Sequence, residues 1–158
     1  MPIITQTINE DGTVTNVRQP WTADELIAHI ADLRWQQETL DINIEGDVFS
    51  TQRHEMTHWV ARRDHAKKVL AGDQEAIASL SATGGNYPYK PHGAKYGRFL
   101  TPAQAVRAYE CIEWRVNACF AIEIGLQQAI AQGGNLDAVF AAAQAVETWP
   151  QISFEWEA

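Results

Sequence analysis

Residues 101–134 read TPAQAVRAYECIEWRVNACFAIEIGLQQAIAQGG, and this stretch predicts the helix around which the rest of the chain is organised. Thr101 is a favourable N-cap, and Pro102 suits the first helical position, where its missing N–H costs nothing. Apolar residues recur at helical spacing as far as Gln132, and two glycines follow. The sequence therefore predicts one long helix over residues 102–132.

Two overlapping apolar stripes follow this predicted helix. One contains Tyr109, Ile112, Val116, Cys119, Leu126 and Ile130, with Glu123 at the one missing step, and the other contains Ala105, Ala108, Ile112, Cys119, Ile122, Leu126 and Ala129. Two stripes offer more apolar surface than one small domain readily covers. We therefore expect one stripe to pack on the amino-terminal helices and the other to bind a partner or a second copy. The alternative is that the helix is simply the core helix of a monomer.

The amino-terminal residues predict a β-hairpin. IITQTIN and TVTNV alternate like strands, and the turn signal EDG separates them. We expect residues 1–20 to form this hairpin or arm, and residues 21–158 to form a helical domain.

A capped amphipathic helix is predicted next, in PWTADELIAHIADLRWQQETLD. Thr22 can cap this helix, and Glu25 completes a capping box with it. Leu26, Ile30 and Leu33 form its apolar stripe.

Shorter elements complete the predicted fold. INIEGDVF alternates about Gly46 like a very short hairpin, after which Ser50 or Thr51 caps a second helix that runs to about Ala71. DQEAIASLSA predicts a shorter helix, and TGGNYPYKPHGAKYGRFL a loop followed by an irregular strand. LDAVFAAAQAVETW predicts a last helix that Pro150 stops, and QISFEWEA a closing strand. The predicted fold class is α+β, mainly helical, with a long central helix packed with shorter helices, an amino-terminal β-hairpin and a carboxy-terminal strand.

Composition narrows the classes of partner. Of the 158 residues, 46% are hydrophobic and 20% charged, which suits a chain that buries a core. The net charge of −8 argues against nucleic acid, since binding to phosphates relies on Lys and Arg. We expect no secretory signal and no membrane span, because no apolar run is long enough. Cys111 and Cys119 lie about 12 Å apart along one helix, which predicts buried thiols and no disulfide between them, as in a reducing cytoplasm.

Residues 54–58, HEMTH, match the H-E-x-x-H motif of zinc peptidases. In that motif His54 and His58 would hold the metal, and Glu55 would activate its water. A third ligand would come from Asp64 or the adjacent His65, or from a glutamate further along the chain, which could only be Glu75.

Several features argue against this zinc site. The glycine that turns the chain back to the metal is replaced by Ala61, and the chain's two methionines leave no methionine turn. On a helical wheel His54, His58 and His65 fall within about 40° of one another. Apolar side chains cluster on the opposite face, namely Met56, Trp59, Val60 and Leu70. The pattern is typical of an amphipathic helix with its histidines in water.

Other chemistry has weaker support. The six tryptophans could form a ligand surface, although at helical spacing they are more typical of a core or an interface. The loop YPYKPHGAKYG lacks phosphate-loop spacing, and Ser/His/Asp or Cys/His catalysis has no local signature. The sequence thus predicts no catalytic residue, no cofactor and no metal site. A zinc metallopeptidase using residues 54–58 is the enzymatic alternative.

Residues 25–130, about two thirds of the chain, contain an order of helices and short motifs that also occurs in other proteins. It begins with ELIAHIADLRWQQET, continues through the short hairpin INIEGDVFST and the helix QRHEMTHWVARRDHAKKVL, and ends with GRFLTPAQAVRAYECIEWRVNACFAIEIGLQQAI. The centre of the last segment is RVNACF, at residues 115–120. This pattern resembles an uncharacterised helical domain of tail and tail-fibre-region proteins of tailed bacteriophages. The chain departs from it where YPYKPHGAKYGRFL replaces a strand that contains tryptophan.

The resemblance implies a structural or assembly role at the phage tail. The chain would be an adaptor or attachment component at the baseplate or tail fibre, or alternatively a chaperone of fibre assembly. Its partners would be other tail proteins, and the chain would be present in three or six copies. We expect it to bind no nucleic acid, because of its charge, and no membrane. It would be made in the host cytoplasm and located in the virion tail. In that family the position of HEMTH is variable and is not a metal site.

Overall fold

The structure is a computed structural model that describes residues 4–157. Its α-helices are α1 (Ala23–Glu38), α2 (Arg53–Leu70), α3 (Gln74–Ser79), α4 (Pro102–Ala131) and α5 (Leu136–Gln144). Its strands are β1 (Ile4–Ile8), β2 (Val14–Arg18), β3 (Ile42–Ile44), β4 (Asp47–Phe49), β5 (Tyr87–Tyr89), β6 (Arg98–Leu100) and β7 (Ser153–Phe154). The predicted class, α+β and mainly helical, is confirmed. The parts of the predicted terminal strands that fall on residues 1–3 and on residue 158 lie outside the described residues.

The chain divides into two compact units. The first contains Met1–Gln37 and Cys119–Trp149, and the second contains Glu38–Ala118 and Pro150–Ala158. α4 therefore contributes its last part to the first unit and its beginning to the second. The boundary that the sequence predicts after residue 20 stays a prediction.

The predicted caps of α1 and α4 are confirmed. Glu25 N–H donates to Thr22 Oγ1 at 3.3 Å, and Thr22 N–H donates to Glu25 Oε2 at 3.0 Å. At α4, Gln104 N–H donates to Thr101 Oγ1 at 3.2 Å, while Thr101 N–H donates to Gln104 Oε1 at 3.0 Å. Each capping box satisfies backbone N–H groups that have no partner inside the helix.

The core of the first unit forms where α1, α5 and the end of α4 pack together. Its buried members are Trp21, Leu26, Ile30, Ile130, Val139 and Ala143. The predicted stripe of α1 is confirmed, because Leu26 and Ile30 are fully buried and Leu33 packs against them.

The core of the second unit combines a small sheet with α2 and the beginning of α4. β3 pairs antiparallel with β4, as predicted, and parallel with β7, with Asn43 opposite Ser153. Glu45 (φ 48°) and Gly46 (φ 95°) turn the chain between β3 and β4. Phe49 stacks on Tyr89 and meets Trp59 and Trp156 edge-on. These aromatic contacts join the sheet to α2 and to the carboxy-terminal segment.

The start of α2 differs from the prediction. The N-cap is Gln52, and no side chain caps the helix. Thr51 is buried, and its hydroxyl donates instead to the carbonyls of Glu38 (2.7 Å) and Leu40 (2.9 Å). Ser50 Oγ accepts only from Gln52 N–H, at 3.3 Å. Burial against the end of α1 therefore overrides the local capping preference of Thr51.

The loop before α4 contains more strand than predicted. β6 is the expected irregular strand, but β5 precedes it and pairs with it antiparallel, with Tyr87 opposite Leu100. Both of these residues are buried in the second core. β5 reads Tyr-Pro-Tyr, and its central proline hid the strand at the sequence level.

The expectation of a free second stripe on α4 was wrong. Ala105, Ala108, Ile112 and Cys119 are fully buried, and the other members of both stripes are buried or half-buried. The stripes share several residues and so form one face of the helix, which the chain covers itself. Glu123 is the one polar residue within the first stripe. Its side chain is buried and accepts a hydrogen bond from Arg34 Nε–H at 2.9 Å.

The cysteine prediction agrees with the structure. Cys111 and Cys119 are both buried and neither forms a disulfide. Of the tryptophans, Trp21, Trp59 and Trp149 are buried, whereas Trp35 and Trp114 are exposed. Within residues 4–157, no helix is both long and apolar enough to cross a membrane.

Candidate functional site

A groove of about 550 Å³ lies beside the start of α2, in the second unit. It is lined by Ser50, Gln52, His54, Glu55, Tyr89, Lys90, Pro91, His92, Gly93 and Ala94. Its walls are thus the segment that leads into α2 and the loop that follows β5. The first half of the H-E-x-x-H motif faces this groove.

The loop wall is held by contacts to the sheet. His92 N–H donates to the carbonyl of Val48 at 3.0 Å, and the Tyr89 hydroxyl donates to the same carbonyl. His92 Nδ1 also contacts the Asp41 carboxylate as an ion pair. These bonds connect residues that are distant in sequence, so the wall is built by the tertiary structure.

Two groups in the groove have shifted pKa values. The hydrogen bond that His92 donates to the Asp41 carboxylate, and the negative charges of Asp41 and Glu55, raise the pKa of His92, which favours the imidazolium form. Burial raises the pKa of Tyr89, and the charges of Asp47 and Glu55 raise it further. Tyr89 therefore remains a neutral hydrogen-bond donor.

The structure separates the members of the zinc motif. His54 and Glu55 line the groove, with His54 Nε2 3.7 Å from Glu55 Oε1. His58 is exposed and is not part of the groove lining. The prediction that the histidines of α2 lie in water is confirmed for His54 and His58.

That prediction was wrong for His65. Its Nδ1 lies 2.6 Å from the Tyr87 hydroxyl, and its Nε2 lies 2.9 Å from Ser79 Oγ. α3 and β5 cover this end of α2. A helical wheel of α2 alone cannot show this covering, because it contains no other element. The helical wheel also placed Leu70 on the apolar face, but Leu70 is the last residue of α2 and is 58% exposed.

The other proposed third ligands have separate places. Asp64 pairs with Arg63 at 2.7 Å, and Glu75 lines a different pocket together with His65 and Lys68. Among the described residues, no group of three or more His, Cys, Asp or Glu side chains is arranged to hold a metal ion. The groove offers hydrogen-bonding groups and the His92–Asp41 pair, and these can bind a polar partner.

The hairpin of β1 and β2 is the second candidate site. Its register places Ile8 opposite Val14 and Thr5 opposite Val17. All the side chains described from residue 6 to residue 17 are exposed, including Ile8 (76%), Val14 (55%) and Val17 (47%). Nothing within the described chain covers these apolar groups, so this hairpin presents them for contact.

The hairpin turn is well defined. Asn9 N–H donates to the Thr13 carbonyl at 2.8 Å, and Gly12 N–H donates to the Asn9 carbonyl at 2.9 Å. Gly12 has φ 82°, which a side chain would strain, and Asp11 accepts from Thr13 N–H at 2.9 Å. These bonds fix the register of β1 against β2.

Sequence reasoning found some of these residues and missed others. The motif drew attention to His54 and Glu55, and strand alternation located the hairpin. His92 and Asp41 were missed, because no local spacing connects two residues so far apart in sequence. The only sequence signal was a histidine within a loop rich in glycine and proline.

The fold defines a mainly helical α+β protein with an exposed hairpin and a shallow polar groove. A comparison of the chain with known protein families, with curated proteins and with solved structures gave no significant match.

Proposed function

We propose that this chain is a structural component of a bacteriophage tail, acting as an adaptor or attachment component at the baseplate or tail fibre. The observation that carries the proposal is the β1–β2 hairpin: its side chains from residue 6 to residue 17 are exposed, and in the described part of the chain no third strand joins its sheet. Exposed strand edges bind other proteins by adding a strand.

The tail assignment rests on the resemblance of residues 25–130 to the tail-protein domain. The hairpin lies just before those residues, as an arm attached to the α1 segment. In this proposal the helical units carry the arm, and the arm contacts other tail proteins. The chain is not an enzyme, and it is present in several copies in the virion.

Mass spectrometry of purified particles tests this proposal, using the phage whose genome encodes the chain and a mutant that lacks the gene. We expect the chain in wild-type particles at a fixed ratio to known tail proteins, and we expect mutant particles to lack the fibre or baseplate. A chain that is absent from the particles but required for fibres would make it an assembly chaperone. Absence from the particles together with normal mutant tails would overturn the tail assignment.

A matched variant tests the role of the arm. A chain beginning at Gln19 lacks the hairpin but keeps Trp21 and the α1 capping box. We expect this variant to fold and to fail to restore tails in the mutant phage. Restoration by the shortened chain would show that the arm is not the docking element.

A further inference from the structure

We propose that β1 pairs edge to edge with β1 of a second copy of this chain, about a two-fold axis through Gln6, so that the two hairpins form one four-stranded antiparallel sheet. This inference goes beyond the proposed function, because it requires no tail protein.

The backbone N–H and C=O groups of the hairpin point alternately toward the partner strand and toward the open edge. In an antiparallel pair, residues whose N–H and C=O groups face each other alternate with residues whose groups face away. The bond from Asn9 N–H to the Thr13 carbonyl marks a facing pair next to the turn. By alternation the pairs Thr7–Thr15 and Thr5–Val17 also face each other.

The remaining positions therefore point their backbone groups toward the open edges. On β1 these positions are Ile4, Gln6 and Ile8, and on β2 they are Val14, Asn16 and Arg18. Within residues 4–157 the β1–β2 sheet contains these two strands and no third, so both rows of groups lack a neighbouring strand there. An isolated two-stranded hairpin is marginally stable, and additional strands stabilise it.

The β1 edge carries none of the sequence features that normally prevent strand addition. Natural edge strands are protected by lysine, proline, inward-pointing charge or a covering element. β1 reads ITQTI and β2 reads VTNVR, so β1 contains no charge and no proline. An edge with this composition is typical of a strand that is paired in the assembled protein.

The sequence of β1 selects a second copy as its neighbour. ITQTI reads the same in both directions. An antiparallel pairing centred on Gln6 therefore places Ile4 opposite Ile8 of the second copy, and Thr5 opposite Thr7. The outward-facing positions of one strand meet those of the other, so their N–H and C=O groups can form the ladder. Isoleucine–isoleucine and threonine–threonine neighbours both stabilise antiparallel pairs.

Charge supports the same choice of edge. Two chains of net charge −8 repel each other, so the contact must be made by an uncharged surface. β1 is uncharged, whereas the same two-fold pairing of β2 about Asn16 would place Arg18 opposite Val14. β1 is therefore the edge for the second copy, and β2 stays available for a different protein.

Matched proline variants test the pairing. Gln6→Pro removes an outward N–H from β1 without removing a bond inside the hairpin, and Asn16→Pro does the same on β2, directly across the hairpin. In sedimentation velocity we expect the wild type and Asn16→Pro to form dimers as concentration rises. We expect Gln6→Pro to weaken dimerisation at least tenfold. A wild type that remains monomeric, or equal effects of the two prolines, would overturn the proposal.

Cysteine variants give an independent measurement. Residues in a facing antiparallel pair have Cα atoms about 5.5 Å apart, which is within the range of a disulfide. Gln6→Cys should therefore form a cross-linked dimer on mild oxidation, and Asn16→Cys should remain a monomer. Cys111 and Cys119 are buried and should not interfere. Cross-linking of both variants, or of neither, would contradict a two-fold axis at Gln6. A chain that fails these tests but is present in particles would leave the proposed function standing.

Discussion

At the scale of the residue, the groove beside α2 depends on a few polar contacts. His92 connects the loop after β5 to Asp41 through its side chain and to Val48 through its backbone. His65 connects α2 to β5 and α3 through both ring nitrogens. The two histidines thus have different roles, because their neighbours differ.

The pH dependence of His92 follows from its raised pKa. A group whose pKa is higher in the folded state stabilises the fold below its ordinary value of about 6.5, and this contribution is lost as the pH rises through the folded value. In an NMR titration we expect His92 to titrate above its ordinary value and Asp41→Asn to shift it downward. An unchanged titration in Asp41→Asn would show that the ion pair is absent in solution.

The zinc motif is tested by metal content. Because His58 lies outside the groove and His65 has other partners, we expect protein purified without added zinc to contain well under one zinc per chain. Peptide hydrolysis, if measured, should be unaffected by Glu55→Gln. A stoichiometric zinc that His58→Ala removes, together with hydrolysis that Glu55→Gln abolishes, would establish the peptidase alternative.

The buried face of α2 is tested by two aspartate substitutions. Val60 packs against the second core, whereas Leu70 is 58% exposed. Val60→Asp should lower the free energy of unfolding by at least about 2 kcal/mol, because a charge is forced against apolar groups. Leu70→Asp and His54→Ala should each change it by less than about 0.5 kcal/mol. Equal effects in denaturant melts would mean that a different face of α2 is buried.

At the scale of the element, the sequence predicts the start of a helix best where a side chain caps that helix. α1 and α4 begin at the predicted threonines because each capping box uses only neighbouring residues. α2 does not begin at a Ser or Thr cap, since Thr51 is used by carbonyls at the end of α1. A cap is therefore predictable when its side chain has no competing tertiary partner.

Gly125, inside α4, and Gly134, just after it, should respond oppositely to substitution by alanine. Gly125 lies within α4, and a Cβ there meets nothing within 4 Å, so Gly125→Ala should raise the free energy of unfolding by ~0.5–1 kcal/mol. At Gly134 a Cβ would lie 2.6 Å from the Ala129 carbonyl oxygen, so Gly134→Ala should lower it by ~1–3 kcal/mol. Urea unfolding measures both changes, and a stabilising alanine at Gly134 would contradict the close approach.

At the scale of the whole molecule, the chain combines a strong negative charge with an uncharged arm. Two copies of the chain, each with a net charge of −8, repel each other over about 30 Å at 0.01 M salt and over about 3 Å at 1 M salt. The β1 contact itself contains no ion pairs that salt would weaken.

Self-association should therefore increase with ionic strength. We expect light scattering to show a larger dimer fraction at high salt than at low salt, at the same protein concentration. A dimer that dissociates as salt is added would mean that ion pairs hold the copies together, and the neutral β1 edge would not be the contact.

The sequence by itself determined the class of fold, the β1–β2 and β3–β4 hairpins and the starts of α1 and α4. These features depend on turn geometry, capping and helical periodicity, which act between residues a few positions apart. Two residues of the groove lining, His54 and Glu55, could be singled out in the same way, as members of a known motif.

Only the tertiary structure decided which surfaces are covered. It buried or half-buried both stripes of α4 as one face, covered His65 with α3 and β5, and left the hairpin exposed. It also brought Asp41 to His92, and β7 beside β3, across long stretches of chain. No local pattern predicts these contacts. Each contact joins two segments that are distant in sequence, and the local sequence of one segment does not show which other segment it will meet.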